Sequence, residues 1–210
     1  MPEEVARKPS RIQLRNRKRI MEAALEVFSQ HGYRGATLDQ IADAAGMSKP
    51  NLIYYFDGKE AIHVALLNRL MEDWLAPLHE MDPGGDPLDE ILAYVRRKME
   101  MSREFPRESR LFANEILQGA PRMGPHLERG LKPLFDEKAA VIADWVAEGR
   151  LAQIDPRQLL LSIWAITQHY ADFDAQIRVL IPDEVAGWDA AFAHVEAMFR
   201  TMLTVSERSG

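Results

Sequence analysis

An all-α fold of about nine helices is predicted by three features of this sequence. Apolar residues recur at helical spacing along nearly the whole chain, while no segment sustains the period-two alternation of a strand or carries an Asn-Gly hairpin. A proline or a Ser, Thr or Asp cap also stands where most new helices would begin.

The first helix is predicted over about Ile12 to His31, with Ile20, Ala24, Val27 and Phe28 on one face and Gly32 as its stop. Thr37-Leu38-Asp39-Gln40 reads as a capping box that opens a short helix ending at Gly46. Ser48 opens a third helix over about 49 to 56, in which Pro50 is tolerated because it lies in the first turn. Asp57-Gly58-Lys59-Glu60 leads into a long helix to about Glu80, which ends before the Asp82-Pro83-Gly84-Gly85-Asp86-Pro87 loop. The remaining helices are placed at roughly 87 to 104, 106 to 119, 125 to 148, 156 to 178 and 184 to 206, four of them opened by Pro87, Pro106, Pro125 and Pro156.

With 210 residues, 47% hydrophobic and 28% charged, the chain has ordinary globular composition. It contains no cysteine, which excludes a disulfide scaffold, a thiol nucleophile and Cys-ligated metal sites. The first residues lack an apolar signal-peptide core and no run spans a bilayer, so a cytoplasmic location is expected. The net charge of −6 is unevenly spread: residues 1 to 60 hold ten Lys/Arg against eight Asp/Glu, and residues 1 to 19 hold seven against two. Such a cluster suits phosphates, although a solvated tail could carry the same charge.

Two short helices around a glycine turn, preceded by a longer amphipathic helix, form a helix-turn-helix, whose second short helix enters the DNA major groove. The segment from Thr37 to Lys49, followed by Leu52, Tyr54-Tyr55-Phe56 and Lys59-Glu60-Ala61, resembles the DNA-binding signature of the TetR family of bacterial repressors. That resemblance implies a three-helix DNA-binding domain, here residues 1 to 60, and a helical effector-binding and dimerisation domain at 61 to 210. It places Thr37 and Lys59 on phosphates, and Ser48, Lys49, Pro50, Asn51, Tyr54 and Tyr55 on the DNA-facing surface. Helix N-termini suit phosphate oxygens, asparagine suits adenine and lysine suits guanine. Leu52 and Phe56 fall on the core side by helical spacing. Many family members carry tyrosine where this chain has Ile53, so Tyr54 is expected to take that phosphate contact.

The second domain is more specific than such domains usually are. Asp73-Trp74-Leu75-Ala76-Pro77-Leu78, Ser109-Arg110-Leu111-Phe112 and Trp164-Ala165-Ile166-Thr167-Gln168-His169-Tyr170-Ala171-Asp172-Phe173 resemble TetR-family regulators of pyrimidine utilisation, within a similarity running from about Arg15 to Ile181. This implies uracil, and more weakly thymine, as an effector that relieves operator binding. Trp164, Gln168 and Ala171 share a helix face, so an indole lies one turn from an amide able both to donate and to accept, as the N–H and C=O edge of uracil requires. Trp74, Trp164 and Gln168 are the foremost pocket residues, with Phe112, Asn114 and Asp172 beside them. Tryptophans at this spacing are more often core than pocket, and a broad apolar pocket for a lipophilic drug or metabolite is the alternative.

No catalytic residue, metal or cofactor is expected. His31, His63, His79, His126, His169 and His194 contain no i, i+4 ligand pair, and no serine nucleophile or glycine-rich loop accompanies His169 and Asp172. Leu159, Leu160, Ile163 and Ile166, with Trp188, Phe192, Val195, Met198, Phe199 and Met202, need burial. A monomer core is one outlet; the resemblance implies the other, a two-fold four-helix bundle with a second copy.

Overall fold

A computed structural model of the chain describes residues 10 to 205, the side chains of residues 184 to 186 excepted. Within that span the protein is all-helical. Two compact units are present, Met1–Arg69 and Leu70–Gly210.

The first unit holds α1 (Arg11–Gly35), α2 (Leu38–Ala44), α3 (Lys49–Tyr55) and the start of α4 (Lys59–His79). Three side-chain caps set its boundaries. Ser10 and Gln13 form a capping box on α1, Thr37 and Gln40 form one on α2, and Ser48 Oγ accepts from the Asn51 amide on α3. Helical backbone in α1 stops at Gly32 (φ 64°), and Gly46 (φ 59°) closes α2 in the left-handed region that glycine enters without strain. Ile20, Ala24, Phe28, Ile41, Leu52, Ile62 and Leu67 are fully enclosed, which fixes α2 and α3 against α1.

The second unit is built around α9 (Pro156–Asp172), which packs against α5 (Pro87–Glu104), α6 (Pro106–Leu117) and α8 (Lys132–Ala147); α11 (Glu184–Leu203) covers α5. Asp86 and Asp155 cap α5 and α9, each one residue before a proline. Trp145 donates to the Pro83 carbonyl (3.1 Å) and the buried Lys138 to that of Met81 (3.2 Å), tying the loop before α5 to α8. No described helix is long and apolar enough to cross a membrane.

Two of the expected rods differ. The helix expected at 125 to 148 is a single turn, α7 (Gly124–His126), a π-helical stretch (Leu127–Leu131) and then α8, with the Lys132 amide bonding back five residues to the Leu127 carbonyl. The helix expected at 156 to 178 breaks at Phe173, and α10 (Asp174–Leu180) follows. At the break Arg110 of α6 takes the Ala171 carbonyl (3.1 Å), while the Phe173 ring stacks on His169. With α7, the π-helical stretch and α8 continuous as one rod, ten helical rods are present among the described residues instead of about nine. Arg7 and Lys8 of the basic cluster, and residue 206 of the last expected helix, lie outside the described residues.

Candidate functional site

The first unit presents α3 on its surface. Ser48, Lys49, Pro50, Asn51 and Tyr54 are exposed, as is Thr37, whereas Leu52 and Phe56 are buried. The Lys49 ammonium lies 2.9 Å from Asp39, an exposed pair of small net value that a stronger anion can displace. Tyr54 and Tyr55 stand edge to face, and α1 supports both: Gln13 donates to the Tyr54 hydroxyl (3.4 Å) and Asn16 to that of Tyr55 (2.7 Å). Arg17 donates to the Tyr55 carbonyl (2.7 Å) with its guanidinium 4.2 Å over the Phe56 ring. These α1 residues were not singled out by sequence reasoning, which treated the basic cluster as charge alone. Lys59 is half-buried and donates to the carbonyls of Tyr33 (2.7 Å) and Ala36 (2.8 Å), so one of its three donors is left for a phosphate.

The second unit contains a cavity of about 620 Å³, inside the range of small-molecule sites. Trp74, Phe112, Asn114, Trp164, Gln168 and Asp172 all line it. The helix face shared by Trp164 and Gln168 thus meets α4 and α6 in one space. Trp74, buried, meets Phe112 edge to face at 5.3 Å. Trp164 donates its indole N–H to the Tyr94 hydroxyl (2.7 Å), which leaves only its ring face for a ligand. Burial pushes the Tyr94 phenol well above its ordinary range. Gln168 extends from the cavity into a narrow cleft beside Lys98, Met101 and Ser109, and no described residue hydrogen-bonds its amide.

One end of the cavity is polar. Ser109 donates to Asp172 Oδ1 (2.6 Å), yet burial raises the Asp172 carboxyl despite that bond and the nearby cations Arg110 and Lys98. Lys98 is 5% exposed, its ammonium 5.3 Å over the Trp74 ring, and burial lowers it to about 8 against the partly opposing charge of Asp172. Lys98, Tyr94 and Arg110 were missed by sequence reasoning. A signal for Lys98 existed: it falls on the apolar stripe Ile91, Tyr94, Val95, where a lysine is out of place. Among the described residues no group of three or more His, Asp or Glu could hold a metal ion.

Comparison with known proteins agrees with this two-part layout. Residues 20–66 match the family described as bacterial regulatory proteins, tetR family, and residues 67–206 match the YcdC-like protein C-terminal region. The HTH-type transcriptional regulator RutR of Escherichia coli (strain K12) is 49% identical over 173 residues, covering 82% of each chain. The HTH-type transcriptional repressor SCO4008 of Streptomyces coelicolor is 28% identical over 81% of this chain and 86% of its own. Among solved structures, SCO4942 from Streptomyces coelicolor superposes with a TM-score of 0.70 at 26% identity, over 91% of this chain and 99% of that one. With a reading helix exposed in one unit, a ligand-sized cavity in the other, and family matches that together cover residues 20–206, the chain belongs to the TetR family of transcriptional regulators and is not an enzyme.

Proposed function

We propose that the protein is a dimeric, pyrimidine-responsive repressor of pyrimidine utilisation, released from a palindromic operator by uracil and more weakly by thymine. The observation that carries this reading is the unpaired amide of Gln168 in one cavity with the indoles of Trp74 and Trp164. Ring faces hold a flat heterocycle, and an amide with both a donor and an acceptor, once enclosed by the ligand, discriminates against rings that leave it unpaired. The resemblance to regulators of pyrimidine utilisation and the 49% identity to RutR point the same way.

Dimerisation is supported by the apolar residues of α9 to α11. Leu159, Leu160, Ile163, Val195 and Phe199 are consumed by the core of a single chain, but Trp188, Phe192 and Met198 are only partly covered, and Leu161 and Met202 are exposed. A two-fold dimer would set its reading helices one DNA turn, about 34 to 36 Å, or somewhat more apart. Effector binding at Trp74 acts on α4, the helix that begins at Lys59, and needs to favour the released state by about 1 to 3 kcal/mol.

A second reading is favoured by the cavity volume. An engineered cavity of about 150 Å³ holds benzene, so a single pyrimidine fills only a fraction of the 620 Å³ present, and a larger lipophilic effector would fit. Calorimetric titration with uracil, thymine, cytosine and a lipophilic cation separates the two. Saturable binding of uracil, lost at least tenfold in Gln168→Ala with operator binding retained, is the expected result; binding of the cation alone would select the second reading.

For the DNA face, Lys59→Ala is expected to weaken binding to operator and random DNA alike and to lower the salt slope by about one. Loss confined to a single operator sequence, measured by fluorescence anisotropy across a salt series, would assign Lys59 to base reading instead.

A further inference from the structure

We propose that Lys98 is the specificity-determining residue of the cavity: its ammonium requires an exocyclic oxygen on the effector ring, so that oxo-pyrimidines are admitted and their amino counterparts rejected. This rests on the pyrimidine reading above and goes further, because it names the group that tells one pyrimidine from another.

Lys98 is among the most enclosed charged side chains of the unit, at 5% exposed, and it lines both the cavity and the cleft shared with Gln168. No described residue hydrogen-bonds or ion-pairs with it; the Trp74 ring face at 5.3 Å and the charge of Asp172 are what stabilise it among the described residues. The other buried lysine of the unit, Lys138, is bonded to the Met81 carbonyl and paired with Glu137, as a structural lysine should be. A buried cation left without acceptors is costly, and a ligand oxygen supplies what the protein withholds.

The neighbouring groups define the complement. Ammonium only donates, so the ligand atom facing Lys98 must accept. Ser109 already gives its one proton to Asp172, so it does not compete for that atom. The free amide of Gln168 can then take the adjacent ring N–H on its oxygen, which matches the C=O and N–H sequence along the edge of uracil. A ring with amino groups in place of both oxygens sets donor against donor and leaves the buried charge unpaired. Sites of this kind reject the wrong analogue far more strongly than apolar pockets do, by factors of about 10⁴ where the mispairing is complete.

The test is calorimetric titration of the full chain at pH 7 with uracil and with 2,4-diaminopyrimidine, which has no exocyclic oxygen, for wild type and Lys98→Met. Wild type is expected to prefer uracil by at least about 100-fold. In Lys98→Met uracil affinity should fall at least tenfold and the preference collapse towards unity. A wild type that binds both rings equally overturns the proposal without any variant, and so does a Lys98→Met protein, folded by circular dichroism, that keeps the wild-type ratio. If wild type binds neither ring, the pyrimidine reading falls and this assignment falls with it.

Discussion

Glu115→Ala is expected to lower the melting temperature by on the order of 10 °C. Glu115 is 3% exposed near the end of α6 and accepts from the backbone amide of Arg122 (2.7 Å) and from its guanidinium (3.2 Å). Alanine would strip a partner from a backbone N–H and from a largely enclosed cation at once. Removing one member of a buried pair typically costs about 3 to 5 kcal/mol, and each kcal/mol shifts the midpoint of a domain of this size by about 2 to 4 °C. The damage would also reach the cavity, because α6 carries Phe112 and Asn114. Differential scanning fluorimetry checks the size of the loss. Adding Arg122→Ala to the variant should recover part of it, since the cation that lost Glu115 is then gone; a shift under about 2 °C in the single variant would mean the pair is not holding this end of α6.

Lys98→Met is expected to act in the opposite direction and stabilise the protein at neutral pH. Burial lowers the ammonium from its ordinary 10.5 to about 8, so the folded state holds that proton less tightly than the unfolded chain. At about 1.4 kcal/mol for each pH unit by which a pKa moves, the charge destabilises the native state by on the order of 3 kcal/mol below pH 8. Between about pH 8 and 10.5 the folded protein has released the proton and the unfolded chain still carries it, so wild-type stability rises with pH and the advantage of the variant shrinks. Asp172 is the charge acting on the ammonium, Arg110 and His169 act on Asp172 in turn, and Tyr94 lines the same cavity; because the variant keeps all four, their own titrations largely cancel in the difference. Urea unfolding of both proteins at pH 7 and pH 10 measures it. A variant less stable than wild type at pH 7 would mean that the Trp74 contact and the field of Asp172 outweigh desolvation.

Much of this architecture is written locally. Thr37 with Gln40, Ser48 before Pro50, and Asp86 and Asp155 before prolines fix helix starts through bonds spanning three residues or fewer, and such bonds are visible in a linear string. Gly32 and Gly46 mark their stops equally well. The break at Phe173 was not legible, since the carbonyl it frees is taken by Arg110, more than sixty residues away. Nothing in Tyr54 or Tyr55 announces Gln13 or Asn16 as a hydrogen-bond partner about forty residues earlier. Helical spacing put Trp164 and Gln168 on one face, but that Trp74 and Phe112 complete the same space depends on how α4, α6 and α9 pack. Lys98 escaped because a lysine is read as surface unless the whole apolar stripe around it is weighed.

The π-helical stretch at Leu127–Leu131 has a consequence for the length of the chain. Its turn holds one residue more than an α-turn, shown by the bond from Lys132 back to Leu127, and Leu127 and Leu131 both face the cavity. Gly130 runs so close to α4 that an added Cβ would lie 3.2 Å from the Met71 methyl. Deleting a residue at the start of α8, Lys132 or Pro133, would turn every later side chain by about 100° and pull Leu134, Lys138 and Ile142 from their places. Deleting one inside the π turn instead converts it to an ordinary α-turn and leaves the helix beyond it in phase. The wall of the cavity therefore contains a point where the gene can lose a codon and keep the reading of the core, and a descendant could reshape the cavity there without rebuilding the fold.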